Sequence, residues 1–306
     1  MEKIFYVGID GGASKTDIVI KDNSGNILSR FKSGPANISV SLNRAYNSVY
    51  EGLVNAFKGI GLNFADKNRN YKVFAGLGLA GLEDAEAYNE FVKKLTIFDD
   101  FIIKTDAFVA CLGAHKGENG MIVVIGTGSV AFAICNNKGY RIGGWGFPYS
   151  DEGSGAWIGC EAIRNTLHYY DGRIEKSELF EEILNLYEKK VDKLISWAAK
   201  AKSTEFASLF PMVLKYYNAN DKAALKLVNS AAKEIESLVV GMDKRLGTKE
   251  LKISLIGGVS KIIAPLLCED FKSRLQDPLL CPAEGAILLI EKYLKDKDSL
   301  KYNDRW

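Results

Sequence analysis

Four glycine-rich turns recur along this chain and restrict the folds that it can adopt more than any other feature. The first, second and fourth each follow a run of apolar and β-branched residues, which is typical of a strand that ends in a turn. At such junctions backbone amide groups are free to donate hydrogen bonds to phosphate oxygens. The turns lie at residues 8–16, 126–129, 143–146 and 257–259.

Length and composition predict a two-domain globular protein. The chain has 306 residues, of which 47% are hydrophobic, and exceeds the size at which a single core usually divides. The 40 basic and 38 acidic residues nearly balance, and the Lys-rich segment 292–301 is typical of a solvated helix end, so we expect no nucleic acid partner. The order of the turns suits the binding of a nucleoside triphosphate between two domains, which favours a phosphotransferase.

The apolar runs and the cysteines indicate the cellular location. No apolar run approaches the roughly 18 residues of a transmembrane helix, and the first residues lack the features of a signal peptide. We therefore expect a cytoplasmic protein with no membrane partner. The five cysteines are far apart and include no Cys-x-x-Cys pair, so we expect reduced thiols instead of a zinc site or disulfides.

The order of the predicted elements suggests that one structural plan occurs twice. Strands separated by glycine-rich or polar turns begin each half, and segments with helical spacing of apolar residues follow them. Asp221 is placed to cap the helix with the clearest spacing. We predict strands at 4–9, 16–20, 27–31, 71–75, 101–104, 121–125, 130–135 and 251–256, and helices at 43–57, at 83–95 and between 156 and 246.

Two common nucleotide-binding motifs are only partly present. A P-loop requires glycine where Ser14 stands, which excludes that motif. The segment 76–81 (GLGLAG) follows a predicted strand and precedes a predicted helix, as in a dinucleotide-binding fold, and Asp106 ends the next strand. A dinucleotide-dependent oxidoreductase is therefore an alternative, although it leaves Asp10 and the other glycine-rich turns without a role.

The turns that contain Asp10 and Thr127 resemble those of the actin, hexokinase and Hsp70 superfamily. Within it, the sequence resembles the N-acetylglucosamine kinase and glucosamine kinase group of the BadF/BadG/BcrA/BcrD ATPase family. The resemblance extends from residue 4 to about 290. It departs from the family at Ala13-Ser14, where Gly-Thr is usual, although Ser14 keeps a hydroxyl group. The other matching motifs are Gly34-Pro35-Ala36-Asn37, Thr105-Asp106-Ala107, Gly143-Gly144-Trp145-Gly146 and the segment 151–159 (DEGSGAWIG).

The resemblance implies an α/β protein made of two ribonuclease H-like domains, the actin-like ATPase fold. Each domain would contain a five-stranded mixed sheet, with the active site in the cleft between the domains. The expected first domain is 1–116, joined by a final helix at about 283–306, and the second is 117–282 with a helical insert. Closure of the domains over the substrates would exclude water, so ATP hydrolysis without sugar should be slow.

The resemblance also implies transfer of the γ-phosphate of ATP to O6 of N-acetylglucosamine or glucosamine, with Mg²⁺. Phosphoryl transfer depends mainly on positioning and charge stabilisation. Asp10 would be the magnesium ligand, through water, and Asp106 the base that takes the proton from O6 and also binds the sugar. Besides Asp106, the expected sugar contacts are Asn37, Gly144, Trp145, Gly146 and Asp151. The expected ATP contacts are Gly11, Gly12, Ser14, Lys15, Thr127 and Gly128 for the phosphates, and Gly257 and Gly258 for adenosine.

The sequence leaves alternatives for two residue roles, for the function and for the acceptor. Trp145 has an alternative role as an ordinary core aromatic residue, and Glu152 has no assigned role. The family also contains ATPases that activate radical dehydratases with a cysteine-bound iron–sulfur cluster, which is a second alternative function. The acceptor could be N-acetylglucosamine, glucosamine or N-acetylmuramic acid, and the motifs favour N-acetylglucosamine. The resemblance further suggests a homodimer.

Overall fold

The computed structural model describes residues 3–297, and the chain divides into two compact units. The first unit consists of 3–121, Phe132–Tyr140 and 277–297, and the second of Ile122–Ala131 and Arg141–Gln276.

The domain boundaries expected from the sequence, 1–116 with the final helix and 117–282, stay a prediction. That helix was expected to reach residue 306, and its last residues, with the end of the Lys-rich segment, lie outside the described part of the chain.

Residues 3–297 form nine strands and twelve α-helices, and every predicted strand and helix is confirmed within a few residues. The strands are β1 Lys3–Gly11, β2 Thr16–Asp22, β3 Ile27–Ser33, β4 Tyr71–Leu79, β5 Asp100–Thr105, β6 Gly120–Ile125, β7 Ser129–Cys135, β8 Lys138–Gly143 and β9 Ile253–Ile256. The helices are α1 Leu42–Lys58, α2 Ala85–Lys93, α3 Asp106–Ala114, α4 Gly155–Tyr170, α5 Glu178–Leu186, α6 Val191–Ala198, α7 Ser203–Ala207, α8 Phe210–Asn218, α9 Lys222–Leu246, α10 Ser260–Ile263, α11 Glu269–Lys272 and α12 Pro282–Lys295.

The first sheet has five strands in the order β3-β2-β1-β4-β5. β1, β2 and β3 pair antiparallel as consecutive hairpins, whereas β1, β4 and β5 are parallel neighbours. In the register of the parallel strands Gly11 lies beside Leu79, and Leu79 beside Thr105. The carboxyl ends of these three strands are therefore level, which brings the residues that follow them to one edge of the sheet.

Glycines inside two strands of the first sheet allow a helix to pack directly on it. A Cβ atom added to Gly8 would lie 1.8 Å from the carbonyl oxygen of Ala283 in α12, and one added to Gly76 would lie 1.8 Å from that of Ala286. Both distances are far below van der Waals contact, so only glycine fits. The final helix, α12, therefore packs on the first sheet.

The same packing explains why the interpretation of 76–81 as a dinucleotide-binding motif is wrong. A dinucleotide-binding turn requires the strand to end at its first glycine and a helix to begin at the turn. Here β4 continues through Gly76 and Gly78 to Leu79, and α2 begins only at Ala85. The glycines make room for neighbouring helices, and no phosphate-binding turn forms there.

The second sheet has four strands within the described residues, in the order β8-β7-β6-β9. The prediction of a fifth strand is therefore wrong. In its place, the segment 274–276 pairs with Ile253 alone: Ile253 N donates to Arg274 O, and Gln276 N donates to Ile253 O, both at 2.9 Å. Pro278, two residues later, has no N–H group and cannot extend the pairing. The order of the four strands nevertheless repeats that of β3-β2-β1-β4 and confirms the duplicated plan.

Six helices, α4 to α9, separate β8 from β9, as predicted for 156–246. Asp221 caps α9 by accepting hydrogen bonds from Ala223 N at 2.9 Å and Ala224 N at 3.0 Å, which confirms its predicted role. Near the other end of α9, Asp243 forms a buried two-point ion pair with Arg274, at 2.7 and 2.8 Å. No helix within 3–297 is long and apolar enough to cross a membrane.

Candidate functional site

Asp10 lies at the carboxyl end of β1, opposite Asp17 on β2. Its side chain is partly buried, and the pKa of Asp10 is raised to about 7, first by burial and then by the negative charges of Asp106 and Asp17. Lys15 has a smaller, opposite effect. The predicted metal ligand is therefore a carboxyl group in an electronegative place, as expected of a group that binds a cation.

Asp106 follows β5 directly and is the first residue of α3. Thr105 is the helix cap, because its Oγ1 accepts a hydrogen bond from Phe108 N at 3.2 Å, and Asp106 Oδ1 accepts one from Ala107 N at 2.8 Å. The level strand ends bring Asp106 to the same sheet edge as Asp10, where the two charges interact. Two of the predicted site residues thus lie together in the first unit.

The first glycine-rich turn presents exposed residues beyond β1. Gly12 N donates to Lys15 O at 3.0 Å, which closes the turn, and Ser14 is exposed at its tip. Lys15 is 58% exposed and forms an ion pair with Asp17. Gly11 itself is buried as the last residue of β1. The turn therefore offers Ser14 and Lys15 to solvent, where a phosphate group can reach them.

Asn37 lies beside this turn and uses one half of its amide within the protein. Ala36 N donates to Gly12 O at 2.9 Å and connects the two segments. The Asn37 Oδ1 atom accepts hydrogen bonds from Ser39 N, Ser39 Oγ and Val40 N, at 3.1, 2.8 and 3.2 Å. Because the carbonyl oxygen is occupied, the Nδ2 amino group is the part of Asn37 suited to bind a sugar hydroxyl.

In the second unit, Thr127 and Gly128 form the turn between β6 and β7. This turn is bonded to the start of α4, since Gly155 N donates to Gly126 O at 2.8 Å and Ala156 N donates to Thr127 O at 3.1 Å. Thr127 is exposed. The turn can therefore present a hydroxyl group and backbone amides to a phosphate.

Asp151 packs against the same turn. A Cβ atom added to Gly128 would lie 2.9 Å from the Asp151 carboxyl carbon, and Asp151 Oδ1 accepts a hydrogen bond from Ser129 N at 3.3 Å. Burial raises the pKa of Asp151, and the hydrogen bond from Ser129 opposes that effect. Ser129 Oγ also donates to the Glu152 carbonyl oxygen at 2.6 Å. A predicted sugar contact and a predicted phosphate contact thus lie side by side.

The third glycine-rich turn carries an exposed tryptophan. It comprises residues 143–146 and is called the sugar loop after the ligand predicted for it. Trp145 is 76% exposed, so it is not a core residue. Gly144 and Gly146 on either side of it have φ of +68° and +101°, a conformation that glycine adopts easily. The guanidinium group of Arg141 contacts this loop.

The two glycines predicted to contact adenosine differ in what surrounds them. Gly257 has a φ of +109°, and a Cβ atom there would lie 2.3 Å from the carbonyl oxygen of Ile125. Gly258 has no atom within 4 Å of such a Cβ. Packing alone therefore requires glycine at 257, whereas Gly258 is open to a ligand.

Two further residues, Asp17 and Arg141, contact predicted site residues but were not predicted from the sequence. Asp17 pairs with Lys15 and raises the pKa of Asp10, and its signal was a carboxylate directly after Lys15-Thr16. Arg141 has only its position two residues before the sugar loop as a signal. All five cysteines are free thiols, and residues 3–297 contain no group of three or more His, Cys, Asp or Glu side chains that could hold a metal ion.

Comparison with known proteins identifies the family. The sequence profile of the BadF/BadG/BcrA/BcrD ATPase family matches residues 7–289. The chain belongs to this family. This match confirms the resemblance that the motifs indicated.

Curated relatives cover almost the whole chain. One is the glucosamine kinase GspK of Vibrio cholerae, 31% identical over 94% of this chain and 96% of its own length. Another is the N-acetylmuramic acid/N-acetylglucosamine kinase of Clostridium acetobutylicum, 31% identical over 83% of this chain and 85% of its own length.

A solved structure supports the fold. It is a protein of Chromobacterium violaceum provisionally assigned as an N-acetylglucosamine kinase, 31% identical, with a TM-score of 0.80 over 94% of this chain and 98% of that one. The chain has the two-sheet α/β architecture of the actin-like ATPases, which confirms the expected fold class.

Proposed function

We propose that the protein is an ATP-dependent amino-sugar kinase that transfers the γ-phosphate of ATP to O6 of N-acetylglucosamine or glucosamine. The observation that carries most weight is the pair of carboxyl groups, Asp10 and Asp106, at one edge of the first sheet. Phosphoryl transfer to a hydroxyl group requires one group that holds a cation and one that accepts a proton. Family membership and the similarity to sugar kinases over most of the chain support the same reaction.

Asp106 is the proposed general base. The sugar hydroxyl gives its proton to the Asp106 carboxylate as its oxygen bonds to the γ-phosphorus, and the bond from that phosphorus to the bridging oxygen of ADP breaks. The backbone hydrogen bond from Ala107 holds one carboxylate oxygen, Oδ1. Such a bond fixes the orientation of the carboxylate before the sugar binds, which is the main requirement of this chemistry.

The residues present fit a magnesium ion held mainly by one carboxylate. Asp10 is an oxygen ligand in an electronegative place, and the described residues contain no larger cluster of metal-binding side chains. Mg²⁺ usually keeps several waters and binds one or two carboxylates together with substrate phosphates, so a single protein ligand suffices. When bound, the ion would neutralise charge on the phosphate groups.

The remaining predicted contacts keep the roles proposed for them. Ser14, Lys15 and Thr127 bind phosphate oxygens, and their exposure supports this. Asn37 donates its amino group to a sugar hydroxyl, and Asp151 accepts one. The proposed partners are ATP and the amino sugar, while the cytoplasmic location and the homodimer stay predictions.

The acceptor is proposed as N-acetylglucosamine first and glucosamine second. The relatives differ on this point, since the Vibrio cholerae protein is named as a glucosamine kinase and the Clostridium acetobutylicum protein as an N-acetylmuramic acid/N-acetylglucosamine kinase. The three sugars differ at C2 and C3, so only a comparison of acceptors can separate them.

The test is ADP release from Mg-ATP with N-acetylglucosamine, glucosamine, N-acetylmuramic acid, N-acetylmannosamine and glucose. We expect activity with one of the first two, and a loss of about 10²–10⁴-fold in kcat for Asp106→Asn. Asp100→Asn is the matched control, because Asp100 begins the same strand and forms an exposed ion pair with Lys297. It should keep full activity. ATP hydrolysis at equal rates with and without sugar would contradict the proposal and favour the ATPase-activator alternative.

A further inference from the structure

Arg141 holds the sugar loop through three contacts, all within the second unit. Its Nε donates to Gly143 O at 3.0 Å, and its Nη2 donates to the carbonyl oxygen of Gly144. Its Cζ lies 4.6 Å from the centroid of the Trp145 ring. A single guanidinium group therefore fixes two consecutive carbonyl groups and the aromatic ring that follows them.

The loop needs such support because its own residues provide little. Gly143 and Gly144 both have positive φ, at 72° and 68°, and glycine gives the backbone more freedom than any other residue. Trp145 is 76% exposed, so packing in the core does not fix its ring. Arg141 is anchored in turn, since Arg245 Nη1 donates to its carbonyl oxygen at 3.0 Å.

The chemistry of the contact is specific to arginine. The guanidinium group is planar and donates two nearly parallel hydrogen bonds while its face stacks on an aromatic ring. Lysine carries the same charge but is a point donor without a face. The three contacts of Arg141 use the fork and the plane together, so lysine cannot reproduce them.

We infer that Arg141 is a positioning residue for the acceptor: it stacks on the Trp145 indole and fixes the sugar loop in the shape that binds a pyranose ring. The inference rests on the proposed function. An aromatic ring held in place offers a flat apolar surface to the C–H groups of a pyranose, and it does so at a low cost in conformational entropy. Arg141 need not touch the sugar to have this effect.

The kinetic test compares Arg141→Lys and Arg141→Ala with the unaltered protein. We expect the KM for the sugar to rise about 10–100-fold in both, because small displacements of a binding group weaken productive binding on that scale. The KM for ATP should stay within about twofold. Guanidinium ion added to Arg141→Ala should restore part of the sugar affinity, which loss of fold would not permit.

The matched control is Arg173→Ala, which removes an exposed arginine from the same unit. Both Michaelis constants should stay unchanged in it. An unchanged sugar KM in an active Arg141→Lys protein overturns the inference and leaves the kinase proposal intact. Equal rises in the two Michaelis constants also overturn it, since they indicate a general loss of structure.

A second measurement does not depend on turnover and keeps the inference testable if the kinase proposal fails. The fluorescence of Trp145 is obtained as the difference between the protein and its Trp145→Phe variant, and acrylamide quenching reports the accessibility of the indole. With Arg141→Ala, the quenching constant of this component should increase by about half, as a stacked face becomes exposed. An unchanged constant means that Arg141 does not hold the ring.

Discussion

At the scale of single residues, Asp10 is a carboxyl group whose charged form destabilises the folded protein, and it is also the proposed magnesium ligand. The folded protein raises the pKa of Asp10 from 3.8 to about 7, through burial and then through Asp106 and Asp17. The folded state therefore binds this proton more tightly than the unfolded chain does. The contribution of Asp10 to the free energy of unfolding is fully present below about pH 4 and is lost as the pH rises through about 7.

Asp10→Asn should therefore stabilise the protein at pH 8 while it abolishes activity. The amide cannot ionise, so the cost of a buried negative charge disappears. We expect the free energy of unfolding at pH 8 to increase by on the order of 2 kcal/mol, which is below the full value of the shift because the side chain is partly exposed. At pH 4 the difference should vanish. Urea unfolding at the two pH values measures it.

Asp22→Asn, in the same sheet, is the control, because the change in stability expected for it at pH 8 has the opposite sign. Hydrogen bonds from Asn26 and Ser24 lower the pKa of Asp22, so its contribution to stability is present at neutral pH and is lost as the pH falls. This variant should lose a little stability at pH 8. A gain in stability in both variants would mean that general reduction of negative charge, and not the site around Asp10, is responsible.

A second prediction at this scale distinguishes the roles of two adjacent glycines, Gly257 and Gly258. Gly258→Ala should leave the melting temperature unchanged, because the new methyl group meets no protein atom within 4 Å. If Gly258 borders adenosine, the KM for ATP should rise about tenfold or more, while the KM for the sugar stays the same. Gly257→Ala should instead destabilise the fold, since its methyl group would lie 2.3 Å from Ile125 O. An unchanged KM for ATP in Gly258→Ala would remove Gly258 from the proposed site.

At the scale of elements, the helix α12 and the glycines beneath it determine how the first sheet is covered. Gly8 on β1 and Gly76 on β4 are neighbours in the register, and both face carbonyl groups of α12. The sequence shows the glycines but does not show that they lie beneath this helix, which begins more than 200 residues later along the chain. For this reason the pattern at 76–81 offered a dinucleotide-binding turn as an alternative interpretation, whereas the packing of α12 and α3 explains why Gly76 and Gly78 are glycines.

Gly76→Ala should destabilise the protein by about 3 kcal/mol or more, or prevent its folding. The added methyl group would overlap the backbone oxygen of Ala286, and backbone cannot move aside as the end of a side chain can. Gly241→Ala is the matched control in α9. There the nearest atom is Ile142 Cγ2 at 3.4 Å, so alanine should stabilise the helix by about 0.5–1 kcal/mol. Thermal unfolding of both variants measures the difference. Equal melting temperatures would contradict the packing of α12.

At the scale of the whole molecule, the repeated plan could be predicted from the sequence and the details that break the repeat could not. Alternating apolar residues and polar turns predicted the three strands that begin the first half and the first two strands of the second half, but not β8. Asp221 marked the start of α9. The missing fifth strand depends on one pairing, between Ile253 and residues 274–276, which no local pattern records. The candidate site follows the same rule: glycine turns indicate Asp10 and Thr127, whereas the contacts of Asp17 and Arg141 require the folded chain.

Binding of the acceptor should be visible in the stability of the whole protein, independently of turnover. A ligand that binds only the folded state at 100 times its Kd contributes about 2.7 kcal/mol, which corresponds to a rise in melting temperature of about 3–8 °C. We expect this rise with the preferred amino sugar and not with glucose. Asp106→Asn should keep most of it, because the amide can still bind a hydroxyl group, although catalysis is lost. Trp145→Ala should lose it. A sugar that is phosphorylated without raising the melting temperature at any concentration would mean that ATP must bind first, and repeating the titration with Mg-ADP present would then restore the rise.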